Sequence, residues 1–403
     1  MIGSCTLRQY LDDRWTLLLS VWLLSATVNA FIIAPASVFP VITAQLEITS
    51  SAASWLVSIV FGVAAVVSIP VGVWLDRTDN RTAMMVATGV FIAGSVLSWR
   101  AALAGSYLLL LGARAVGGFA FPIVWNAGIT LIGSRFNSDN EATAIGIFTA
   151  SAPLGFAFAQ FFGPYLSTSL GWATPFGIFA VPAVFASLVF WYSTHDVVTT
   201  AGESDVPNVN SIVRILIDRN VRSVGLMGFL AYSIYVFFNT WMPNYLAEDV
   251  GLSLTTSGML FAAYPAVGVI SRIGSGVVSD RFLNRRRKPV MYLAFATTLP
   301  LTALIAMTDI LAVLVLSLLF AGLALQSGIG ILHPYVRELA DPAVAATAIA
   351  VLTTASFIGS VITPVITGEL IEQTTYTLAF GYVSVAAVAG ILLTRTTPEP
   401  NGA

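Results

Sequence analysis

The chain has 403 residues, 57% of them hydrophobic and 9% charged, with a mean hydropathy of +0.86. Soluble domains carry about 25% charged residues. The 18 Lys and Arg and 20 Asp and Glu are too few to cover a water-soluble particle of this length, which excludes a soluble enzyme, a nucleic-acid binder and a disordered chain.

A helix crossing the hydrocarbon layer needs about 20 largely apolar residues. In chain order, the apolar runs are 15–46, 48–75, 82–99, 101–134 (past one arginine), 142–194, 223–247, 250–279 (past one arginine), 289–308, 310–336, 343–368 and 373–394. Run 142–194 is too long for one helix and is broken by Gly163-Pro164 and by Ser-Thr-Ser-Leu-Gly at 167–171, so it counts as two. Twelve spans result. Backbone groups in lipid must be bonded internally, and continuous rather than alternating apolar runs point to helices, not to a barrel. The first run is too long for a signal-peptide core and lacks a small-residue cleavage site, so it reads as a retained helix. The single cysteine, Cys5, excludes a disulfide framework. Two histidines, His195 and His333, argue against a multi-histidine metal centre.

Arginine placement sets the topology. With the N-terminus inside, inner segments hold Arg8, Arg14, Arg77, Arg81, Arg135, Arg214, Arg219, Arg222, Arg281, Arg285, Arg286, Arg287, Lys288, Arg337 and Arg395, against Arg100 alone outside. The outer loops carry Glu47, Glu248, Asp249, Asp309, Glu369 and Glu372. Both termini are therefore expected on the cytoplasmic face of the cell membrane.

The longest polar segment, 195–222, contains Glu203, Asp205, Pro207 and Asn208 and then an amphipathic piece at 212–217. It reads as a cytoplasmic linker between an N-terminal six-helix bundle (1–194) and a C-terminal one (223–403). The halves repeat. Gly72-Val-Trp-Leu-Asp76-Arg77-Thr-Asp-Asn80-Arg81 follows span two, and Gly276-Val-Val-Ser-Asp280-Arg281-Phe-Leu-Asn284-Arg285 follows span eight, each position offset by 204. The same offset links Gly118 with Gly322 and Gly155 with Gly359. Parallel six-helix repeats around a shared site describe one kind of secondary transporter. The fold class is all-α membrane protein, with twelve spans in two pseudo-symmetric six-helix bundles.

The twin G-x-x-x-D-R-x-x-N-R loop resembles the signature of the major facilitator superfamily between spans two and three and between spans eight and nine. Arg114 with Gly117-Gly118 in span four, and Gly155 with Gly163-Pro164 in span five, are similar to that family's other motifs. The resemblance covers essentially the whole chain. It departs from the usual pattern at Asp79 and Leu283, where glycine is frequent, and at Gly117, where glutamine is common. The resemblance implies a latch on the cytoplasmic side. Asp76 would meet the start of span eleven near Asp341-Pro342, and Asp280 the start of span five near Glu141. Arg77, Arg81, Arg281 and Arg285 would complete the network, and Gly72 and Gly276 would allow close helix approach. The rival reading is that the arginines are only positive-inside anchors.

Ionisable residues at membrane depth default to functional hypotheses. The acids fall in loops or at helix ends, whereas Arg114 in span four and Arg272 in span eight do not. Two cations without a carboxylate favour an anionic cargo, which arginine binds as a fork. Arg272 lies eight residues before Asp280, roughly 12 Å from the end of the helix. Helical spacing adds Tyr232, Tyr235 and Asn239 in span seven, Gln326, Gly330 and His333 in span ten, Thr149, Phe156 and Gln160 in span five, and Phe121 and Trp125 beside Arg114 in span four. Asn29 is the polar residue of span one, and Asn126 lies off the main stripe of span four. The resemblance places spans one, four, seven and ten around the cavity. The expected substrate-binding set is Arg114, Arg272, Asn29, Asn126, Tyr232, Tyr235, Asn239, Gln326 and His333.

No Walker loop, H-E-x-x-H motif or voltage-sensor ladder occurs, and no catalytic residue, metal or cofactor is expected. The reading is a monomeric secondary transporter in the lipid bilayer, with a small organic or inorganic anion as cargo and no nucleic-acid partner. A hydrophobic-drug exporter and a transporter-like solute receptor are the rival readings. Exchange, facilitated diffusion and proton-coupled entry are all compatible with the sequence.

Overall fold

The computed structural model describes residues 13–75, 77–194, 217–341 and 344–400. Every regular element in them is helical, and twelve helices are long and apolar enough to cross a membrane. Span one runs Asp13–Ile33, tightens into a 3₁₀ turn at Ala34–Val38 and resumes at Phe39–Leu46. Pro35 and Pro40 enter those last two pieces at their first turns, where a missing N–H costs least. Span two is Ser50–Leu75 and span three Asn80–Leu103. Span four divides into Tyr107–Gly118 and Ala120–Gly133, and span five into Ser138–Thr149 and Ser151–Leu170. Span six is Thr174–Gly177 with Ala180–Ser193. Span seven is Arg219–Glu248. Span eight joins Leu254–Phe261 and Ala263–Val277 to a π turn at Val278–Phe282. Spans nine to twelve are Lys288–Met307, Leu311–Leu339, Ala345–Gln373 and Tyr376–Thr396.

Local chemistry explains several boundaries. Span five passes through Pro164 and stops at Gly171, whose φ of 101° is open to glycine. The break between spans five and six is therefore at Gly171, not at Gly163-Pro164. Asp79 caps span three by accepting from Thr82 N at 3.0 Å, which gives this departure from the family pattern a structural role. Asp218 does the same for span seven, accepting from Asn220 N and Val221 N at 2.8 and 2.9 Å. That helix takes residues 219–222 out of the expected linker and into the span. The rest of the linker, 195–216, lies outside the described residues, as do Asp76 and Pro342.

The helices form two six-helix bundles with repeated packing. A Cβ on Gly118 would stand 3.2 Å from Val60 Cα in span two, and one on Gly322 would stand 3.0 Å from Tyr264 O in span eight. Both members of these contacts differ by the same 204 positions. Gly155 presses span five onto the Ala26 carbonyl of span one, and Gly359 presses span eleven onto the Phe229 carbonyl of span seven. Small residues let helices approach where lipid provides no hydrophobic drive between them. Leu108, Val181, Phe185, Leu188 and Val385 are exposed around the outside, as a lipid-facing surface requires.

The bundles are joined most tightly at the end bearing the acidic loops. Ser51 N donates to Glu372 at 2.5 Å, Gln160 Nε2 to Asn239 O at 2.7 Å and Asn244 Nδ2 to Ala36 O at 3.1 Å. Phe39 packs on Trp241 across the same seam, ring centroids 5.3 Å apart. At the other end, residues beyond span twelve fold back onto the second loop motif. Glu399 accepts from Arg287 N and from Lys288 N, the latter at 3.2 Å, and so caps the first turn of span nine. Tyr335 OH donates to Pro398 O at 3.0 Å, and Lys288 Nζ donates to Arg395 O at 2.9 Å.

Candidate functional site

A cavity of about 660 Å³, part of it open, lies between the bundles. Asn29, Phe61, Phe121, Trp125, Phe156, Tyr232, Tyr235, Arg272, His333 and Phe357 line it, with Ala152, Val236, Thr353 and Ser356. On each of four spans, these residues sit on the arginine-loop side of the seam. Asn29 precedes Ala36 in span one, Phe156 precedes Gln160 in span five, Tyr235 precedes Asn239 in span seven, and Phe357 precedes Glu372 in span eleven.

Arg272 is the one lining residue among those described with a permanent charge, and no Asp or Glu lines the cavity with it. Its guanidinium carbon lies 5.4 Å from the Tyr235 ring centroid, and its Nε is buried without a hydrogen-bond partner. Tyr235 is held in a stack, 5.6 Å from Phe156 of the other bundle and 6.3 Å from Tyr264. Gly330 of span ten brings the helix bearing His333 onto the backbone of Arg272. His333 is exposed to the cavity.

The structure gathers Asn29, Tyr232, Tyr235, Arg272 and His333 at the cavity. It places the other four expected binders elsewhere. Arg114 is fully buried and bonds three carbonyls: Nε donates to Leu56 O, Nη1 to Phe31 O at 3.0 Å and Nη2 to Ile32 O at 2.9 Å. Its guanidinium also lies 4.3 Å from the Phe31 ring centroid. This arginine staples span four to spans one and two and does not line the cavity. Gln326 Nε2 donates to Tyr264 O at 2.9 Å, fixing span ten to span eight. Asn239 bonds its own helix at Tyr235 O, 2.8 Å, and receives Gln160. Asn126 is exposed away from the cavity.

Other contributors come from spans outside the expected four. Phe61 of span two and Thr353, Ser356 and Phe357 of span eleven were not singled out in the sequence. The three span-eleven residues fall at i, i+3 and i+4, which is a detectable stripe.

In the second loop motif, Asp280 bonds Arg287 Nη1 at 2.6 Å in its own bundle, not the start of span five. Arg287 also forks onto Glu338, at 3.1 Å from Nε and 2.7 Å from Nη2, and reaches Ser279 Oγ at 2.8 Å. The Glu338 hydrogen bonds are the main reason the Arg287 guanidinium is held above the ordinary arginine range. Glu141 turns toward Gly133 of span four. A Cβ on Gly72 or Gly276 would meet nothing within 4 Å, so neither glycine marks a close approach in this conformation. Arg77, Arg281 and Arg285 are exposed, while Arg81 lies 4.2 Å from the Trp191 ring centroid.

The family model described as Major Facilitator Superfamily matches residues 18–364 and 224–403. The chain belongs to the Major Facilitator Superfamily. As a member of it, the protein is a secondary transporter and not an enzyme. This superfamily member is 22% identical to a D-galactonate transporter of Escherichia coli over 386 residues, covering 88% of this chain and 86% of that one. It is 26% identical to a probable nitrate/nitrite antiporter of Thermus thermophilus over 274 residues, 64% of this chain and 58% of that one. In fold it is similar to a bacterial homologue of the human lysosomal transporter Spinster, solved inward-facing and unoccupied. That likeness has a TM-score of 0.76 at 18% identity and covers 98% of both chains.

Proposed function

We propose that the transporter moves a small anion across the cell membrane by alternating access, with Arg272 as the charged anchor of the cargo. The observation that carries this reading is the cavity's charge: one guanidinium, its buried Nε unpartnered, and no carboxylate among the described lining residues. An unpaired cation at this depth is costly, and an anion relieves that cost. Relatives named for galactonate, galactarate/D-glucarate and nitrate/nitrite agree with anionic cargo. The bundles comprise residues 1–194 and 219–403, joined by a cytoplasmic linker, and the protein works as a monomer with both termini in the cytoplasm. With the acidic end closed, the cavity is reached from the arginine-loop end, so this state is open to the cytoplasm.

The latch belongs to the opposite state. When the bundles close over the loop motifs, Asp280 exchanges Arg287 for the start of span five, and Asp76 closes the other side. Tyr235, Tyr232 and His333 complete the cargo site beside Arg272.

Uptake and counterflow in proteoliposomes with labelled anions, neutral solutes and cationic drugs, with and without a pH gradient, test the proposal. Movement of anions is the expected result. Movement of neutral or cationic compounds while all anions fail would overturn it.

A further inference from the structure

We infer that the cavity selects an amphipathic monoanion, a carboxylate carried on an apolar or aromatic body, over polyhydroxylated acids and small inorganic anions. The inference rests on the anion reading above and adds the chemistry of the rest of the cargo.

The cavity is polarised. Several of its polar groups are already satisfied within their own helices. Thr353 Oγ1 donates to Ile349 O at 2.9 Å, Ser356 Oγ to Leu352 O at 2.8 Å and Asn29 Nδ2 to Ser25 O at 2.9 Å. Arg272, the one permanently charged residue of the described lining and with its Nε unpartnered, lies with Tyr232, Tyr235 and His333 on spans seven, eight and ten. One fixed guanidinium balances one negative charge.

The remaining wall is aromatic. Phe61, Phe121 and Phe357 form a triangle with centroid separations of 6.3, 5.6 and 6.4 Å, and Trp125 and Phe156 also line the cavity. Phe61, Phe121 and Phe357 come from spans two, four and eleven, while Phe156 of span five stacks on Tyr235 and joins the rings to the charged side. A cargo held by its carboxylate at Arg272 therefore lays its body against rings.

That geometry discriminates. An apolar pocket rejects a single added hydroxyl about 100-fold, because the group loses water and gains no partner. A sugar acid brings several such hydroxyls to the phenylalanine triangle. Nitrate satisfies Arg272 and leaves the rings without contact. A flat apolar body uses both halves of the site, stacking at the ring spacings aromatic pairs adopt.

The test uses the full-length protein in proteoliposomes, with labelled 3-phenylpropionate, its neutral amide, gluconate and nitrate compared by counterflow. The expected result is entry of 3-phenylpropionate with an apparent affinity tighter by about 10-fold or more than that for gluconate or nitrate. Phe357→Ser should weaken 3-phenylpropionate roughly 10-fold more than it weakens nitrate, while Phe357→Leu keeps most of the affinity for 3-phenylpropionate. Elution of both variants as a single species on size exclusion separates loss of affinity from loss of fold. Preference for gluconate or nitrate, or no movement of 3-phenylpropionate, overturns the inference and leaves the anion reading standing. Equal movement of the amide and the acid instead overturns the anion reading beneath it.

Discussion

Replacing Arg114 by lysine separates a structural arginine from a cargo-binding one. The guanidinium donates from three different nitrogens to Leu56 O, Phe31 O and Ile32 O, on two neighbouring spans. A lysine ammonium is a single point and reaches one of those carbonyls at a time, leaving two without their charged donor. A hydrogen bond to a charged group contributes about 1.5–3 kcal/mol, so with partial relaxation the loss is about 3–5 kcal/mol. For a chain of this length that lowers the apparent unfolding midpoint by about 4–6 °C. The assay heats detergent-solubilised protein and follows the monodisperse peak by size exclusion. In parallel, anion binding is measured on the fraction that survives. Arg114→Lys should fall in midpoint and keep its affinity. A normal midpoint with weakened anion binding would refute the stapling argument and return Arg114 to the cargo site.

Arg272→Gln should show the converse, about 10-fold or greater loss of anion transport with a midpoint shifted far less than that of Arg114→Lys, because its Nε is unpartnered and its main protein contact is the Tyr235 ring. Gly359→Val should abolish folded yield by driving a side chain into the Phe229 carbonyl, whereas Gly276→Ala, with nothing within 4 Å, should leave yield and monodispersity intact. Asp218→Ala removes the acceptor for two amides at the start of span seven and should cost about 1 kcal/mol in thermal unfolding. Asp280→Asn should cut turnover while membrane expression stays normal, and unchanged uptake would remove Asp280 from the transport cycle.

The twelve spans were readable because lipid imposes a one-dimensional rule: length and apolarity suffice. The repeat was readable because the motif residues recur at one offset, and Gly118 and Gly322 then pack on Val60 and Tyr264 at that same offset. The site was half readable. Arg272 and His333 stood out as rare polar groups at depth, and both line the cavity. Arg114, Asn239 and Gln326 stood out for the same reason but bond backbone carbonyls, partners that carry no residue identity in a sequence. Phe61 and Phe357 escaped notice because a ring facing a cavity and a ring facing lipid read alike. Asp280 pairs with Arg287 here, and which acid–base pairing forms depends on the conformation, which spacing does not encode.

The folded-back end of the chain has a practical consequence. Glu399 caps span nine, and Tyr335 of span ten holds Pro398, so the segment leaving span twelve is bolted to two other helices of its bundle. A fluorophore or spin label placed at the exposed Pro398, whose carbonyl Tyr335 holds, would ride on that bundle. Paired with a probe on a buried-ended helix of the other bundle, it would turn the opening of the cavity into a distance that spectroscopy can read.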